Sequence, residues 1–249
     1  MKIAVCIKRV PDMEGRFRIA GDGKSVDETG VKFDMSDFDG YAVEAALQIT
    51  EKQGGEVVVV AVGPDTVQET LRKALSMGAA RAVHLKADAV PPDGLAVARA
   101  LAAELKDGAF DLVLFGKIAL DTSAGVVGPM TAELLDLPCV SAASRLEVAS
   151  GKGTARRELE GAYEMLAFPL PAVVSIDEGI ARPRYPSLKG IMAAKKKPLD
   201  VKPAQLGEAR IAVEKMALPP ERGAGRIVGE GPAAVPELVR LLQTEAKVL

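Results

Sequence analysis

A run of six consecutive apolar residues at positions 57–62 constrains the fold of this chain more than any other feature of its sequence. The run reads VVVVAV, so a strand built from it has no polar face. β-Branched residues favour strands, and a strand that is apolar on both faces is typical of the centre of a parallel sheet. We therefore expect a sheet that is covered by helices on both sides.

Strand-like and helix-like segments alternate through the first half of the chain. Apolar residues at helical spacing, with Ser36 or Asp37 as the N-cap, predict a first helix over residues 36–52. The alternation implies βαβ crossovers and a doubly wound parallel α/β sheet. The expected strands cover residues 3–7, 56–62, 82–85 and 111–115, and the further expected helices cover residues 93–105, residues 126–135 and a stretch that begins near residue 63.

The second half of the chain has a different pattern. Gly and Pro residues separate four shorter strand-like segments, which indicates a meander that extends the sheet or covers one edge. These segments are residues 139–148, 154–160, 163–168 and 172–176. Residues 198–231 are rich in Pro, Gly and charge, which predicts an extended arm, and residues 236–246 predict a short closing helix. We therefore divide the chain into an α/β domain over residues 1–197 and an arm with a terminal helix over residues 198–249.

The segment 111–128 has the composition of an anion-binding loop. A buried strand ends at a glycine, a loop of small and hydroxyl residues follows, and a helix begins near Val126. The first turn of a helix has free backbone N–H groups, and its dipole favours a phosphate there. Loops after neighbouring parallel strands meet at the carboxyl edge of the sheet, so residues 8–12 and 62–65 should lie beside this one. An ordinary strand-to-helix turn is the alternative.

Composition excludes several classes of function. The net charge is −2, from 32 basic and 34 acidic residues, whereas a nucleic-acid partner usually requires a basic face. One histidine, His84, and two distant cysteines, Cys6 and Cys139, provide neither a metal site nor a Ser-His-Asp triad. We expect His84 to be a hydrogen-bonded strand residue and both thiols to be buried in a reducing compartment.

The hydropathy pattern predicts a cytoplasmic protein that is not inserted in a membrane. No apolar run approaches the roughly 18 residues that span a bilayer. The apolar stretch at residues 3–7 is followed at once by two charges, so it predicts a first strand rather than a secretory signal.

Two motif-like stretches carry less weight. Residues 229–234 read GEGPAA, which resembles a dinucleotide fingerprint, but only 15 residues follow and a complete βαβ unit does not fit. Residues 195–197 are three lysines, and so short a run is usually a solvated face.

Three segments resemble the β (small) subunit of electron-transfer flavoprotein, and the resemblance extends from Lys2 to about Gly207. They read VCIKRVPD at residues 5–12, the loop 116–128 continuing into PMTAELLDLP, and PRYPSLKGIMAAKKK at residues 183–197. The third segment is the most specific. The resemblance implies an α/β sheet of the adenine-nucleotide-binding type, which agrees with the sheet expected above.

The resemblance implies an electron carrier rather than an enzyme. In that family the β subunit pairs with a larger α subunit that holds most of one FAD, and the β subunit itself carries an AMP, or a second FAD in electron-bifurcating members. Electrons would pass from acyl-CoA or related dehydrogenases of fatty acid oxidation to a membrane quinone reductase or another acceptor. Because the flavin does the redox chemistry, no catalytic side chain is required.

The resemblance also places two sets of residues. The nucleotide would be held at strand ends, at the start of the first helix and along the 116–127 loop, by Cys6, Ser36, Asp37, Phe38, Asp39, Val62, Gly116, Ala119, Asp121, Thr122, Ser123, Ala124, Gly125, Val126 and Val127. Phe38 occupies the position of an aromatic ring against the α subunit's flavin, with a hydrophobic staple as the alternative. Leu188 occupies the position of an exposed anchor for dehydrogenases on a surface loop, with a core leucine as the alternative. Tyr185, Ile191 and Met192 are the further partner-binding residues. The arm and terminal helix over residues 198–249 are expected to lie against the α subunit rather than against the chain's own sheet.

The chain departs from the family pattern at three places. Residues 122–127 are less acidic and less rich in amides than in many members. Ile118 stands where a glutamine is expected after Gly-Lys, and Met13 stands near where some members have an aromatic residue beside the flavin. These departures bear on the identity of the bound nucleotide. Two other classes stay open: a stand-alone adenine-nucleotide-binding protein, which has no use for residues 183–197, and a nucleotide-dependent ligase, which would need a Ser- and Gly-rich loop where residues 8–12 read KRVPD.

Overall fold

The computed structural model describes residues 1–221 and 223–249, and its centre is a nine-stranded, mostly parallel sheet. The strands are β1 (Lys2–Cys6), β4 (Glu56–Gly63), β5 (Arg81–Lys86), β6 (Leu112–Gly116), β7 (Cys139–Ala149), β8 (Lys152–Leu159), β9 (Ala162–Pro169), β10 (Ala172–Ile176) and β11 (Leu199–Pro203). Their order across the sheet is β11-β5-β4-β1-β6-β10-β7-β8-β9. Two short antiparallel strands, β2 (Arg9–Pro11) and β3 (Phe33–Met35), pair outside it.

Helices cover both faces of the parallel strands, as the apolar run at 57–62 predicts. They are α1 (Asp37–Gln53), α2 (Val67–Met77), α3 (Gly94–Leu105) and α4 (Val127–Leu135). A short helix, α5 (Leu188–Ala194), packs on α2, and α6 (Val235–Leu241) lies near the C-terminus of the chain. Alternate residues of β4 belong to two different hydrophobic clusters: Val57 and Val59 pack with α1 and α2, while Val58 and Val60 pack with α3 and α4. The doubly wound α/β fold is therefore confirmed.

The second half of the chain extends the sheet. Strands β7, β8 and β9 form an antiparallel meander at one side of the sheet, as expected. Strand β10 follows the meander in sequence but inserts between β6 and β7 and is parallel to both. Its five residues are all buried, as expected for a central strand. The local sequence does not specify that β10 returns to the middle of the sheet, because this position depends on pairing with β6 and β7.

The C-terminal arm begins later in the structure than the sequence predicts. β11, at Leu199–Pro203, pairs in parallel with β5, so the boundary expected at residue 198 is wrong for these residues. The strand was missed because it lies at the sheet edge, where its polar Asp200 and Lys202 give no apolar pattern. Two compact units result, Met1–Lys215 and Met216–Leu249. The second consists of irregular chain, a 3₁₀ turn at Pro232–Ala234, and α6 followed by a π-helical turn at Leu242–Ala246.

Three smaller expectations need correction. Leu188 opens the short helix α5 instead of lying in a loop, because Ser187 caps that helix by accepting a hydrogen bond from the Gly190 N–H at 3.1 Å. Cys6 is buried, but Cys139 is exposed at the start of β7. Lys197 is not part of a solvated run, since its ammonium donates to two backbone carbonyls.

His84 is a satisfied core residue, as predicted. It is fully buried in β5, and its Nε2 lies 2.8 Å from the carbonyl oxygen of Gly63. Among residues 1–221 and 223–249, no cluster of three or more His, Cys, Asp or Glu residues could hold a metal ion, and no helix is long and apolar enough to cross a membrane.

Candidate functional site

The carboxyl ends of β4, β1 and β6 lie side by side, so the loops that follow them share one edge of the sheet. Val62 is the penultimate residue of β4, Cys6 is the last residue of β1, and Gly116 is the last residue of β6. The first residues of α1 reach the same edge. The structure thus brings together the three loops that the sequence predicted to converge.

Asp39, in the first turn of α1, ties two of these strand ends together. Its Oδ2 accepts a hydrogen bond from the Lys8 N–H at 2.7 Å, and its Oδ1 accepts one from the Gly116 N–H at 3.0 Å. The side chain is buried, and burial raises the pKa of its carboxyl to about 7, although both hydrogen bonds act in the opposite direction. Asp39 therefore serves as an internal latch between β1 and β6.

Two further contacts fasten the loop after β6 to its neighbours. Ser36 is completely buried, and its hydroxyl donates to the carbonyl of Ile118 at 3.4 Å. Lys8, just beyond β1, places its ammonium 2.7 Å from the carboxylate of Asp121, with about a quarter of each side chain exposed. Ser36 is the N-cap residue of α1 by position, but its side chain makes no capping hydrogen bond.

The loop itself is exposed from Asp121 to Val126 and leads directly into α4. A turn is closed by the Ser123 N–H, which donates to the Ala119 carbonyl at 2.8 Å, and Ser123 and Gly125 both adopt positive φ, 51° and 64°. The backbone there bends in a way that large β-branched side chains would resist. Thr122 and Ala124 complete this small-residue stretch.

The N-terminus of α4 offers backbone donors to a ligand. The helix begins at Val127 after a valine N-cap, a residue type with no oxygen to accept from the first turn. The first N–H that donates into the helix is that of Met130, to the Val126 carbonyl at 3.0 Å, and Pro129 has no N–H. The N–H groups of Val127 and Gly128 thus point out of the helix, where its dipole favours an anion.

These groups fit a phosphate. Two helical N–H donors, a small-residue loop that permits close approach, and the nearby cation of Lys8 are the features of backbone anion sites. The residue chemistry is therefore compatible with a nucleotide whose phosphate lies against the 121–128 segment.

Four of the predicted nucleotide-binding side chains have other surroundings. Cys6 and Val62 are buried in the hydrophobic cluster on the α3 and α4 side, and burial raises the pKa of the Cys6 thiol well above its usual range. Phe38 is half-buried and packs edge to face on Tyr41, with ring centroids 6.0 Å apart. Asp37 is exposed in the first turn of α1. Cys6 and Val62 therefore pack inside the core beneath the strand ends and offer no polar side-chain group to a ligand.

A second candidate site lies on α5 and the residues that precede it. Its apolar side chains are strongly exposed: Tyr185 is 97% exposed, Leu188 83%, Met192 66% and Ile191 44%. We call these four residues the docking face. The core-leucine alternative for Leu188 is thereby excluded. Adjacent exposed apolar groups of this size mark interaction surfaces.

Arg184 holds the chain on one side of the docking face. Its guanidinium binds Glu44 in a bidentate fashion, at 2.8 and 2.9 Å, and also contacts Glu51. Burial opposes ionisation of Glu44, but the hydrogen bonds from Arg184 and Gln48 outweigh it and hold the pKa of Glu44 below its ordinary value. The segment before α5 is thus fastened to α1.

Sequence reasoning missed the roles of Lys8 and Arg184. Lys8 could have been found, because it directly follows a central strand at the carboxyl edge, where ligands bind. Arg184 gave no local signal, since its partners are 140 and 133 residues away.

Comparison with known proteins agrees with this architecture. A family model described as electron transfer flavoprotein domain matches residues 24–206. The chain is 38% identical over 259 residues to the electron transfer flavoprotein subunit beta of Bacillus subtilis (strain 168), with all of both chains covered. The chain belongs to the electron transfer flavoprotein β-subunit family.

Other members of the electron transfer flavoprotein β-subunit family are similar over nearly the same length. The subunit beta of Homo sapiens is 40% identical over 236 residues, which cover 90% of this chain and 91% of the human one. That of Syntrophomonas wolfei is 37% identical over 250 residues, which cover 100% and 98%. The match extends through β11, so the family's domain includes the edge strand that the sequence assigned to the arm.

Proposed function

We propose that this chain is the β subunit of a heterodimeric electron carrier, in which a larger α subunit holds most of an FAD and this chain covers part of it. The chain itself binds AMP at the carboxyl edge of its sheet. The carrier takes electrons from acyl-CoA or related dehydrogenases and passes them to a membrane quinone reductase or another acceptor. The docking face carries this proposal, because a stand-alone nucleotide-binding protein has no use for four exposed apolar residues beside its core.

The bound flavin supplies the redox chemistry, and the residues of this chain bind and orient. The N–H groups of Val127 and Gly128 would hold the phosphate of AMP, and Asp121, Thr122, Ser123, Ala124 and Gly125 would surround it. Asp39 and Ser36 keep this loop at a fixed distance from β1. Phe38, half-buried at the start of α1, would lie against the flavin held by the α subunit.

The nucleotide assignment is tested on the purified chain. Denaturing the protein and separating the supernatant should release close to one AMP per chain, and a Gly128→Pro variant, which removes one of the two donors, should release much less. Release of stoichiometric FAD would replace AMP by the second flavin of a bifurcating carrier. A preparation without any nucleotide contradicts the site.

The α subunit would lie against the unit Met216–Leu249. This unit leaves seven large apolar residues exposed, namely Leu218, Ile227, Val235, Leu238, Val239, Val248 and Leu249. Ile227 is 87% exposed, which is costly for an isolated chain in water. A partner subunit that covers them would remove this cost.

Truncation after Lys215 tests that assignment. The cut lies between the two compact units, so the truncated chain should keep the melting temperature and the helical circular dichroism of α1 to α5, and should lose only the signal of α6 and the turn after it. Its affinity for the α subunit should fall by at least about tenfold, because several apolar side chains no longer become buried. If the truncated chain is unfolded, or binds the α subunit with unchanged affinity, this role of the unit is wrong.

A further inference from the structure

Two cations hold the docking helix in a reciprocal arrangement. Arg72 extends from α2, and its Nη1 donates to the carbonyls of Ala194, at 2.5 Å, and Lys197, at 2.8 Å, where α5 ends. Lys197 follows α5, and its Nζ donates to the carbonyls of Leu75, at 2.9 Å, and Ala79, at 2.7 Å, where α2 ends. Each cation therefore binds one carbonyl in the last turn of the other segment's helix and one carbonyl just beyond that helix.

The physical basis of this contact is the charge distribution of helix ends. The last carbonyls of a helix lack partners within the helix, and the dipole places partial negative charge on them. A Lys or Arg side chain there satisfies the carbonyls and stabilises the end. Lys197 gives up solvation to do this, since burial lowers the pKa of its ammonium. Its neighbours Lys195 and Lys196 stay exposed.

The helices also approach each other so closely that only glycine fits between them. A Cβ built on Gly190 would lie 2.4 Å from the carbonyl oxygen of Ser76. Together with the Arg184 clamp on α1, the segment is thus fixed before α5, at its middle and after its end. A helix of seven residues is too short to be stable alone, so these contacts determine its position.

Resting on the proposed function, we propose that Arg72 and Lys197 are positioning residues of the docking face. Neither contributes surface to the face, but together they fix the orientation in which Leu188 and Met192 project from α5. A partner that takes Leu188 into a pocket then meets an anchor that is already ordered, and complex formation does not have to spend free energy on ordering it. Without either cation, the apolar side chains of the docking face are still exposed, but their orientation is no longer fixed.

The test uses the complete heterodimer as electron acceptor for a purified acyl-CoA dehydrogenase reduced by its acyl-CoA substrate. Lys197→Met removes the donor while keeping an unbranched chain, and Lys196→Met is the matched control because Lys196 is exposed one residue away. We expect Lys197→Met to raise KM for the heterodimer about fivefold to tenfold, the range of a helix-end cation, with kcat changed less than about twofold. Lys196→Met should change KM less than about twofold at physiological salt.

A second variant and a rescue keep the result independent of folding losses. Arg72→Met should raise KM to a similar extent while leaving the Lys197 cap on α2 in place. Lys197→Arg, which still carries a donor cation, should restore most of the wild-type KM. A role in stability alone would lower the melting temperature of these variants and leave KM unchanged, and that result overturns the proposal.

Leu188→Ala separates failure of this inference from failure of the proposed function. If Leu188→Ala leaves KM unchanged, the docking role itself is wrong. If Leu188→Ala raises KM but Lys197→Met and Arg72→Met do not, only the positioning role is wrong. If positioning is correct, adding Lys197→Met to Leu188→Ala should raise KM by much less than it does in the wild type, because the anchor it orients is gone.

Discussion

The carboxyl edge of the sheet and the docking face differ in the groups that they offer to a ligand. At the edge the groups are backbone N–H donors of α4, and buried side chains such as Asp39 and Ser36 hold the loops in place. On α5 the groups are large exposed side chains, and the Arg72 and Lys197 cations hold the helix in place by donating to backbone carbonyls. In our proposal, the edge would recognise a nucleotide through the positions of its backbone N–H groups, and the docking face would recognise a partner through its side chains.

This difference determines which substitutions each region tolerates. A site built from backbone donors should keep its affinity for the ligand when loop side chains are changed, and should lose that affinity when the backbone is displaced. A docking face should lose affinity for its partner when one large side chain is truncated, while the stability of the surrounding fold stays unchanged. The variants below test each half of that contrast, beginning with the largest expected effect.

The free energy of unfolding should depend on pH because the Asp39 carboxyl is buried at the edge. The folded-state pKa of Asp39 is raised to about 7 from an ordinary 3.8, so folding favours the protonated form. The contribution of Asp39 to stability is therefore full below about pH 4 and is lost as the pH rises to about 7, by roughly 4 kcal/mol in total.

Denaturant unfolding of the wild type and of Asp39→Asn at several pH values measures this effect. The stability of the wild type relative to Asp39→Asn should decrease between pH 4 and 7 and then level off. A relative stability that rises with pH over that range would mean that the two N–H donors dominate over burial.

Displacing the backbone at the edge should be nearly as costly. In Gly116→Ala the new Cβ would lie 2.4 Å from the Asp39 carboxylate and 2.8 Å from the backbone of Phe38 and Asp39. We expect a loss of about 3 kcal/mol in unfolding free energy, and loss of bound nucleotide. Gly21→Ala is the control, because no heavy atom lies within 4 Å of its added Cβ, and it should stay within about 0.5 kcal/mol of wild type. Equal stability of the two variants would contradict the latch.

The sequence predicted the edge well because its signals are local. The run at 57–62 specified a strand buried on both faces, and the glycine and small residues after Phe115 specified a turn into α4. Parallel pairing then requires the strand ends to meet, and β4, β1 and β6 are in fact neighbours. The latch was not predictable, because the Asp39 carboxylate bonds to N–H groups 31 and 77 residues away.

The docking region was harder to predict because tertiary contacts create it. Pro186 and Gly190 in so short a segment predict a loop, yet Ser187 and the caps from Arg72 and Lys197 stabilise a helix there. β11 was missed for a similar reason, since only pairing with β5 makes its polar sequence a strand. The exposure of Leu188 was predicted correctly, from the resemblance and from its flanking residues.

Truncating the anchor should affect electron transfer without affecting the fold. Leu188 is 83% exposed, so Leu188→Ala leaves no cavity and should leave the melting temperature and flavin content unchanged. Burying a leucine in a partner's pocket contributes about 1.5–3 kcal/mol, so reduction by an acyl-CoA dehydrogenase should slow by at least about tenfold.

An exposed leucine elsewhere provides the control for that measurement. Leu134, on α4, is 46% exposed and lies outside the docking face. Leu134→Ala should leave the rate within about twofold of wild type. If the two variants slow electron transfer equally, or if Leu188→Ala lowers the melting temperature by several degrees at a normal rate, the docking role of Leu188 is wrong.

The smallest effect is expected from a loop side chain at the edge. Thr122 is exposed, and its N–H bonds to the Ala119 carbonyl at 3.2 Å, so Thr122→Ala keeps both the turn and the helical donors of α4. Since backbone N–H groups hold the phosphate in our proposal, the affinity for AMP, measured by calorimetry on nucleotide-free protein, should change less than about threefold. A loss of tenfold or more would make the Thr122 hydroxyl a ligand. The edge would then recognise its ligand through side chains as well, and the contrast with the docking face would not hold.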